Sequence, residues 1–71
     1  MFSYKKYAEL LAKNNISSYK VSKDTGLYSP LFSEWKSGKS VPKVDKIKII
    51  ADYFDVSIEY FLEGEPEKEV V

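Results

Sequence analysis

Residues 17–38, SSYKVSKDTGLYSPLFSEWKSG, constrain the fold of this chain more than any other stretch. They read as two short helices joined by a tight turn at Thr25-Gly26-Leu27. Ser17 is a good N-cap for the first helix, because its hydroxyl can accept from a backbone N–H that the helix leaves unpaired. Val21 and Ser22 fall on the inward side of that helix. Gly26 supplies the positive φ that a helix end favours just past its last turn. Pro30 belongs in the opening turn of the second helix, where its missing N–H costs nothing. Gly38 stops that helix.

At about 100° per residue, Phe32 and Trp35 define one face of the second helix, with Tyr28 and Leu31 beside them. The opposite face carries Ser29, Ser33 and Ser37 at successive i+4 steps, together with Pro30 and Glu34. A face meant only for water is normally rich in lysine and glutamate, which also favour the helix. Serine is a mediocre helix former, and here it makes a thin side lined with hydroxyls. Such a side suits close approach to a partner, and the DNA major groove, about 12 Å wide, admits a helix. A plain solvent face that happens to be rich in serine is the other reading of the same wheel.

Seventy-one residues make one domain. A chain this short buries only about 60% of its unfolded surface, so its core needs reinforcement. With no cysteine there are no disulfides or thiolate metal sites, and with no histidine either the residues imply no metal. Six tyrosines, four phenylalanines and one tryptophan are the compensation, since each ring buries a large area. No apolar run reaches the roughly 18 residues of a membrane span. The start, MFSYKKYAELLAKNN, lacks the apolar core of a secretory signal, so the expected location is the cytoplasm.

The net charge of zero hides an asymmetry. Residues 1–48 hold ten lysines against Glu9, Asp24, Glu34 and Asp45, a net +6. Residues 49–71 hold Lys68 against Asp52, Asp55, Glu59, Glu63, Glu65, Glu67 and Glu69, a net −6. This division fits one face meeting a polyanion while the other stays clear. A helical bundle with an acidic tail would share it.

Elsewhere the chain is also helical in pattern. Ser3 can cap a first helix to about Lys13, with Tyr4, Tyr7, Ala8, Leu11 and Ala12 as its apolar stripe. Asn14-Asn15 ends it, and Ile16 plugs the core before the next cap. Pro42 introduces a fourth helix whose Val44, Ile47, Ile50, Ala51 and Phe54 recur at helical spacing. Ser57 caps a short fifth helix from Ile58 to about Leu62, ending at Gly64. The remainder, EPEKEVV, reads as a flexible acidic tail. Sustained alternation and hairpin turns are missing, so the expected fold class is all-α.

These residues resemble a known family. Ser17, Val21-Ser22, Gly26, Phe32, Trp35, Gly38-Lys39, Pro42 and the run IIADYFDVSIEYFL together are similar to the phage repressor and Cro helix-turn-helix family, often called XRE-type. The resemblance covers about Tyr4 to Gly64. It implies a five-helix, lambda-repressor-like DNA-binding domain over residues 1–64, with the helix-turn-helix at about 18–37 and the tail at 65–71. It also implies that Ser18 to Asp24 lie over the DNA backbone while Ser29 to Ser37 enter the major groove.

Mapped position by position, the resemblance puts Ser29, Pro30, Ser33 and Glu34 in the groove, with Tyr28 at its mouth. Ser17, Ser18 and Tyr19 fall against the backbone, and Ser37 and Ser40 flank three lysines. Those lysines, Lys36, Lys39 and Lys43, read as phosphate contacts, with ordinary surface lysine as the other account. Trp35 reads as structural. Relatives dimerise, which implies an interface at Val56, Ile58, Tyr60 and Phe61, with Tyr53 a further candidate.

Three departures from the family pattern involve four positions. Ser18 stands where many relatives carry a longer glutamine. Leu11 and Lys36 occupy the positions of a buried Arg–Glu pair that some members carry, so both charges of that pair are gone together. Asp55 replaces a glycine after the fourth helix, and aspartate tolerates the left-handed conformation better than most residues.

The residues offer no nucleophile–base pair, no glycine-rich phosphate loop and no cofactor site, so an enzyme is not expected. The function implied is a sequence-specific transcriptional regulator of double-stranded DNA, a repressor of bacterial or prophage origin working as a homodimer on its operator. The alternative is a protein-interaction module of the same fold, an antitoxin or adaptor whose partner is another protein. A further C-terminal domain beyond the tail is also compatible with the resemblance.

Overall fold

The computed structural model describes residues 2–62. The expected tail at 65–71 and the terminating Gly64 lie outside the described residues. Four α-helices follow in order: α1 (Tyr4–Asn14), α2 (Ser18–Thr25), α3 (Ser29–Ser37) and α4 (Val44–Phe54), then a single 3-10 turn at Ile58–Phe61. The all-helical architecture matches the expectation from periodicity. The fifth element is shorter than the expected helix, and Ser57 precedes it without a side-chain cap.

That shortening has a tertiary cause. The Ser3 N–H donates to the Phe61 carbonyl at 2.7 Å, and Phe2 and Leu62 form an isolated antiparallel bridge. A continuing helix would need that carbonyl for its own ladder, and Leu62 is instead extended.

Local chemistry closes each helix. The Ser3 hydroxyl accepts from Lys6 N and the Ser17 hydroxyl from Lys20 N, as N-caps do. Asn15 and Asp55 end α1 and α4 in the left-handed region, at φ 55° and 60°. Asp55 therefore closes α4 in a conformation that glycine adopts most readily. Gly26 and Gly38 play the same part after α2 and α3, at φ 79° and 83°.

The core is built on Tyr7, which is fully buried. Its ring lies between those of Phe32 and Trp35, each stacked with centroids 5.2 Å away, with the Phe54 ring edge-on at 6.2 Å. Pairs of this kind contribute about 0.5–1.5 kcal/mol each beyond their buried area. Trp35 Nε1 donates to the Phe2 carbonyl at 3.1 Å, tying α3 to the start of the chain. Val21, Leu27, Ile47, Ile50, Ala51 and Phe61 complete the interior.

Four sequence assignments need correction. Leu10 is buried on α1, whereas Ala12 is exposed. Val44 is 56% exposed, because the buried stripe of α4 begins one turn later at Ile47. Tyr28 is 73% exposed and does not join Phe32 and Trp35, since it precedes the helix and the wheel does not extend to it. Phe61, expected at a dimer interface, is consumed by the chain's own core.

Candidate nucleic-acid interface

The turn between α2 and α3 is locked by side chains. The Ser22 hydroxyl donates to the Leu27 carbonyl at 2.6 Å, and Gly26 N donates to the Ser22 carbonyl at 2.8 Å. Thr25 Oγ1 donates to the Val21 carbonyl and accepts from Leu27 N. Leu27 is buried beneath these bonds, so α3 leaves α2 in a set direction. On the other flank of α2, the Tyr53 hydroxyl of α4 donates to Asp24 Oδ2 at 2.6 Å, and Lys20 Nζ stands 3.0 Å from the same oxygen. The Tyr53 hydroxyl, then Lys20, hold the Asp24 carboxyl below the usual carboxylate range, and the same bond raises the Tyr53 hydroxyl. Tyr53 is thus engaged with α2.

With Phe32 and Trp35 turned inward, Ser29, Ser33 and Ser37 are exposed on α3, and Pro30 and Glu34 are half-buried at its margin. The wheel identified this side correctly. Two of its hydroxyls are oriented: Ser33 donates to the Pro30 carbonyl and Ser37 to the Glu34 carbonyl, both at 3.1 Å. Their hydrogens are spent within the helix, which leaves each oxygen as an acceptor, and Ser37 Oγ already accepts from Lys39 N at 3.4 Å. The Glu34 carboxylate adds acceptors to the same side. Ser17, Tyr19 and Tyr28 are exposed around it, and Ser18 is half-buried.

The lysines differ by location. Lys20, Lys46 and Lys48 stand 3.0, 3.8 and 3.5 Å from Asp24, Asp45 and Asp52. Among the described residues, Lys36, Lys39 and Lys43 form no ion pair, and all three are exposed, as is Ser40. They follow one another from the last turn of α3 through the Gly38 end to the residue before α4. Lys36 and Lys39 also complement the negative end of the α3 dipole, whereas Lys43 stands at the positive end of α4.

Between α3 and the start of α1 and α2 lies a crevice of about 270 Å³, lined by Tyr4, Ser18, Ser29, Phe32, Ser33 and Lys36. At its edge the Tyr7 hydroxyl and Ser18 Oγ are 2.8 Å apart. Burial pushes the Tyr7 hydroxyl up to about 12. Sequence reasoning did not find Tyr4 or Tyr7 here. A tyrosine at the centre of an apolar stripe does signal that its hydroxyl needs a partner, but the partner lies in another helix. Lys36 lines this crevice, while Leu11 packs half-buried against the core.

Val56, Ile58 and Tyr60, assigned to a dimer interface from sequence, are half-buried and pack around the 3-10 turn, with Lys6 Nζ 5.6 Å from the Tyr60 ring centroid. Among the described residues, no helix is long and apolar enough to cross a membrane.

A helix held by a locked turn against its predecessor, with its far side open and cations at its end, defines a helix-turn-helix protein. The chain belongs to the Cro/C1-type HTH DNA-binding domain family, whose model matches residues 8–67. No curated protein and no solved structure matches it. Family and geometry agree on a DNA-binding regulator.

Proposed function

We propose that this chain is a sequence-specific repressor of bacterial or prophage origin that lays α3 in the major groove of its operator. The observation that carries this reading is the open side of α3, with three exposed lysines at its end. An α-helix with its side chains is about 10–12 Å across, which fits the groove's width of about 12 Å. Ser29, Pro30, Ser33 and Glu34 are the base-facing positions, with Tyr28 at the groove's mouth. The acceptors of Ser33 and Glu34 suit the exocyclic amines of cytosine and adenine. Ser17, Ser18, Tyr19, Lys36, Lys39, Ser40 and Lys43 take the phosphates on either side.

One such domain reads few base pairs, so the active species is a homodimer joined through Val56, Ile58 and Tyr60. It represses by occupying a near-palindromic operator and excluding polymerase. Selection of duplexes from a random pool by the purified protein tests this. A near-palindromic site with half-site centres about 34–36 Å apart, bound less tightly as salt rises, is the expected result. No enriched site would refute it. Salt-insensitive binding, or a stoichiometric protein complex indifferent to DNA, would move the assignment to an adaptor or antitoxin.

A further inference from the structure

We propose that the chain's own acidic segment 63–69, EGEPEKE, lies over Lys36, Lys39 and Lys43 when no duplex is bound, and that DNA must displace it. Docking of the segment is independent of any duplex, whereas its competition with DNA rests on the DNA-binding reading above. Three contacts fix where the segment leaves the fold. Leu62 bridges to Phe2, the Ser3 N–H donates to the Phe61 carbonyl at 2.7 Å, and Trp35 Nε1 donates to the Phe2 carbonyl at 3.1 Å. The chain therefore leaves Leu62, which is already extended, from a place tied to Trp35. Lys36 follows Trp35 in α3 and shares a crevice with Tyr4, whose ring stands edge-on to Trp35 at 5.6 Å. The exit lies at the start of the lysine row.

Pattern and charge select this occupant. Glu63, Glu65, Glu67 and Glu69 recur at every second residue, and an extended run puts all four on one side, about 6.6 Å apart. Gly64, Pro66 and Lys68 fall on the other side, so the segment's one lysine does not oppose the docking. Proline at 66 disfavours a helical Glu65, which keeps that spacing. Seven extended residues reach about 23 Å. Lys36 and Lys43 are seven residues apart, with a helix end and the left-handed Gly38 between them, so their separation falls within that reach. Among the described residues these three lysines form no ion pair, and they outnumber Glu34 beside them. At the start of α1, Lys5 has Glu9 one turn on and Lys6 lies over the Tyr60 ring, so the pull there is weaker. One exposed pair contributes little, but several on a single tether act together.

The chain has no cysteine, so Val70→Cys takes a single nitroxide spin label. Amide resonances of the labelled full chain are read at low salt, before and after a saturating selected duplex. The expected result is broadening centred on residues 36–43 that disappears with the duplex. It should also disappear when Glu63→Gln, Glu65→Gln, Glu67→Gln and Glu69→Gln are combined. In the unlabelled chain the same four substitutions should tighten duplex binding about fivefold at low salt, and less as salt rises. In a Lys36→Gln, Lys39→Gln background that gain should fall below about twofold.

Broadening centred on Lys5 and Lys6, or spread evenly over the chain, would overturn the inference while leaving the DNA-binding reading intact. So would broadening seen only between separate copies, which would give the segment to a second molecule, and docking that survives a saturating duplex. A gain undiminished without Lys36 and Lys39 would mean that the segment repels DNA from a distance, and would overturn it too. If the segment docked but the parent chain bound no duplex, the DNA-binding reading would fall and the competition with it, while the docking stood.

Discussion

Trp35→Phe separates the two sides of α3. The tryptophan is 3% exposed, stacks on Tyr7 and donates through Nε1 to the Phe2 carbonyl. Phenylalanine keeps an aromatic ring against Tyr7 but deletes the donor. Leaving a part-buried carbonyl without that partner costs about 1 kcal/mol, the low end for such groups. The smaller ring leaves a void beside Phe61 and Tyr4 costing about 1 kcal/mol more. The sum, about 2 kcal/mol, is a large share of the roughly 4–10 kcal/mol available to a domain of this length. It corresponds to a melting temperature lower by about 8–16 °C.

Thermal melts followed by far-ultraviolet circular dichroism measure that shift, and titration of a labelled operator well below the variant's midpoint measures affinity. Because Trp35 faces away from the open side, operator affinity there should stay within about twofold of the parent. An unchanged melting temperature would mean that the indole bond and the larger ring hold nothing together. An intact fold that had lost operator affinity tenfold or more would mean that Trp35 meets the DNA and that the sides of α3 are assigned backwards.

Three further outcomes are expected. Lys39→Ala should weaken binding to all sequences alike and lower the salt slope by about 1; an altered base preference in the selected pool would show that it reads bases. Glu34→Gln should change which base is preferred at one operator position, and a selection returning the parent's site would remove Glu34 from the reading surface. Asp24 is held ionised by Tyr53 and Lys20, so its carboxyl titrates lower in the folded chain than in the unfolded one. Its stabilisation is fully present above the ordinary carboxylate range and is lost as pH falls through the lower folded value. Denaturant midpoints should therefore drop on acidification more for the parent than for Asp24→Asn, and equal drops would show that the α2–α4 tie carries no stability.

Short-range chemistry was legible in the residues themselves. Ser17, Gly26, Pro30, Gly38 and Asp55 act within a few residues of their own position, through a cap, a left-handed φ or a missing N–H. The sequence alone therefore determined where α2 and α3 begin and end. Helical periodicity likewise determined that Phe32 and Trp35 turn inward and Ser29, Ser33 and Ser37 outward. Only the tertiary structure decided which distant groups meet: Tyr7 with Ser18, Trp35 with Phe2, and Tyr53 with Asp24. It also decided that Val44 is left outside the core, that Phe61 is taken into it, and that the last turn gives up its helix to pair with the start of the chain. The division follows from reach: a cap or a periodic face is settled within one or two turns of backbone, whereas a pairing across 11, 29 or 33 residues depends on how whole helices pack.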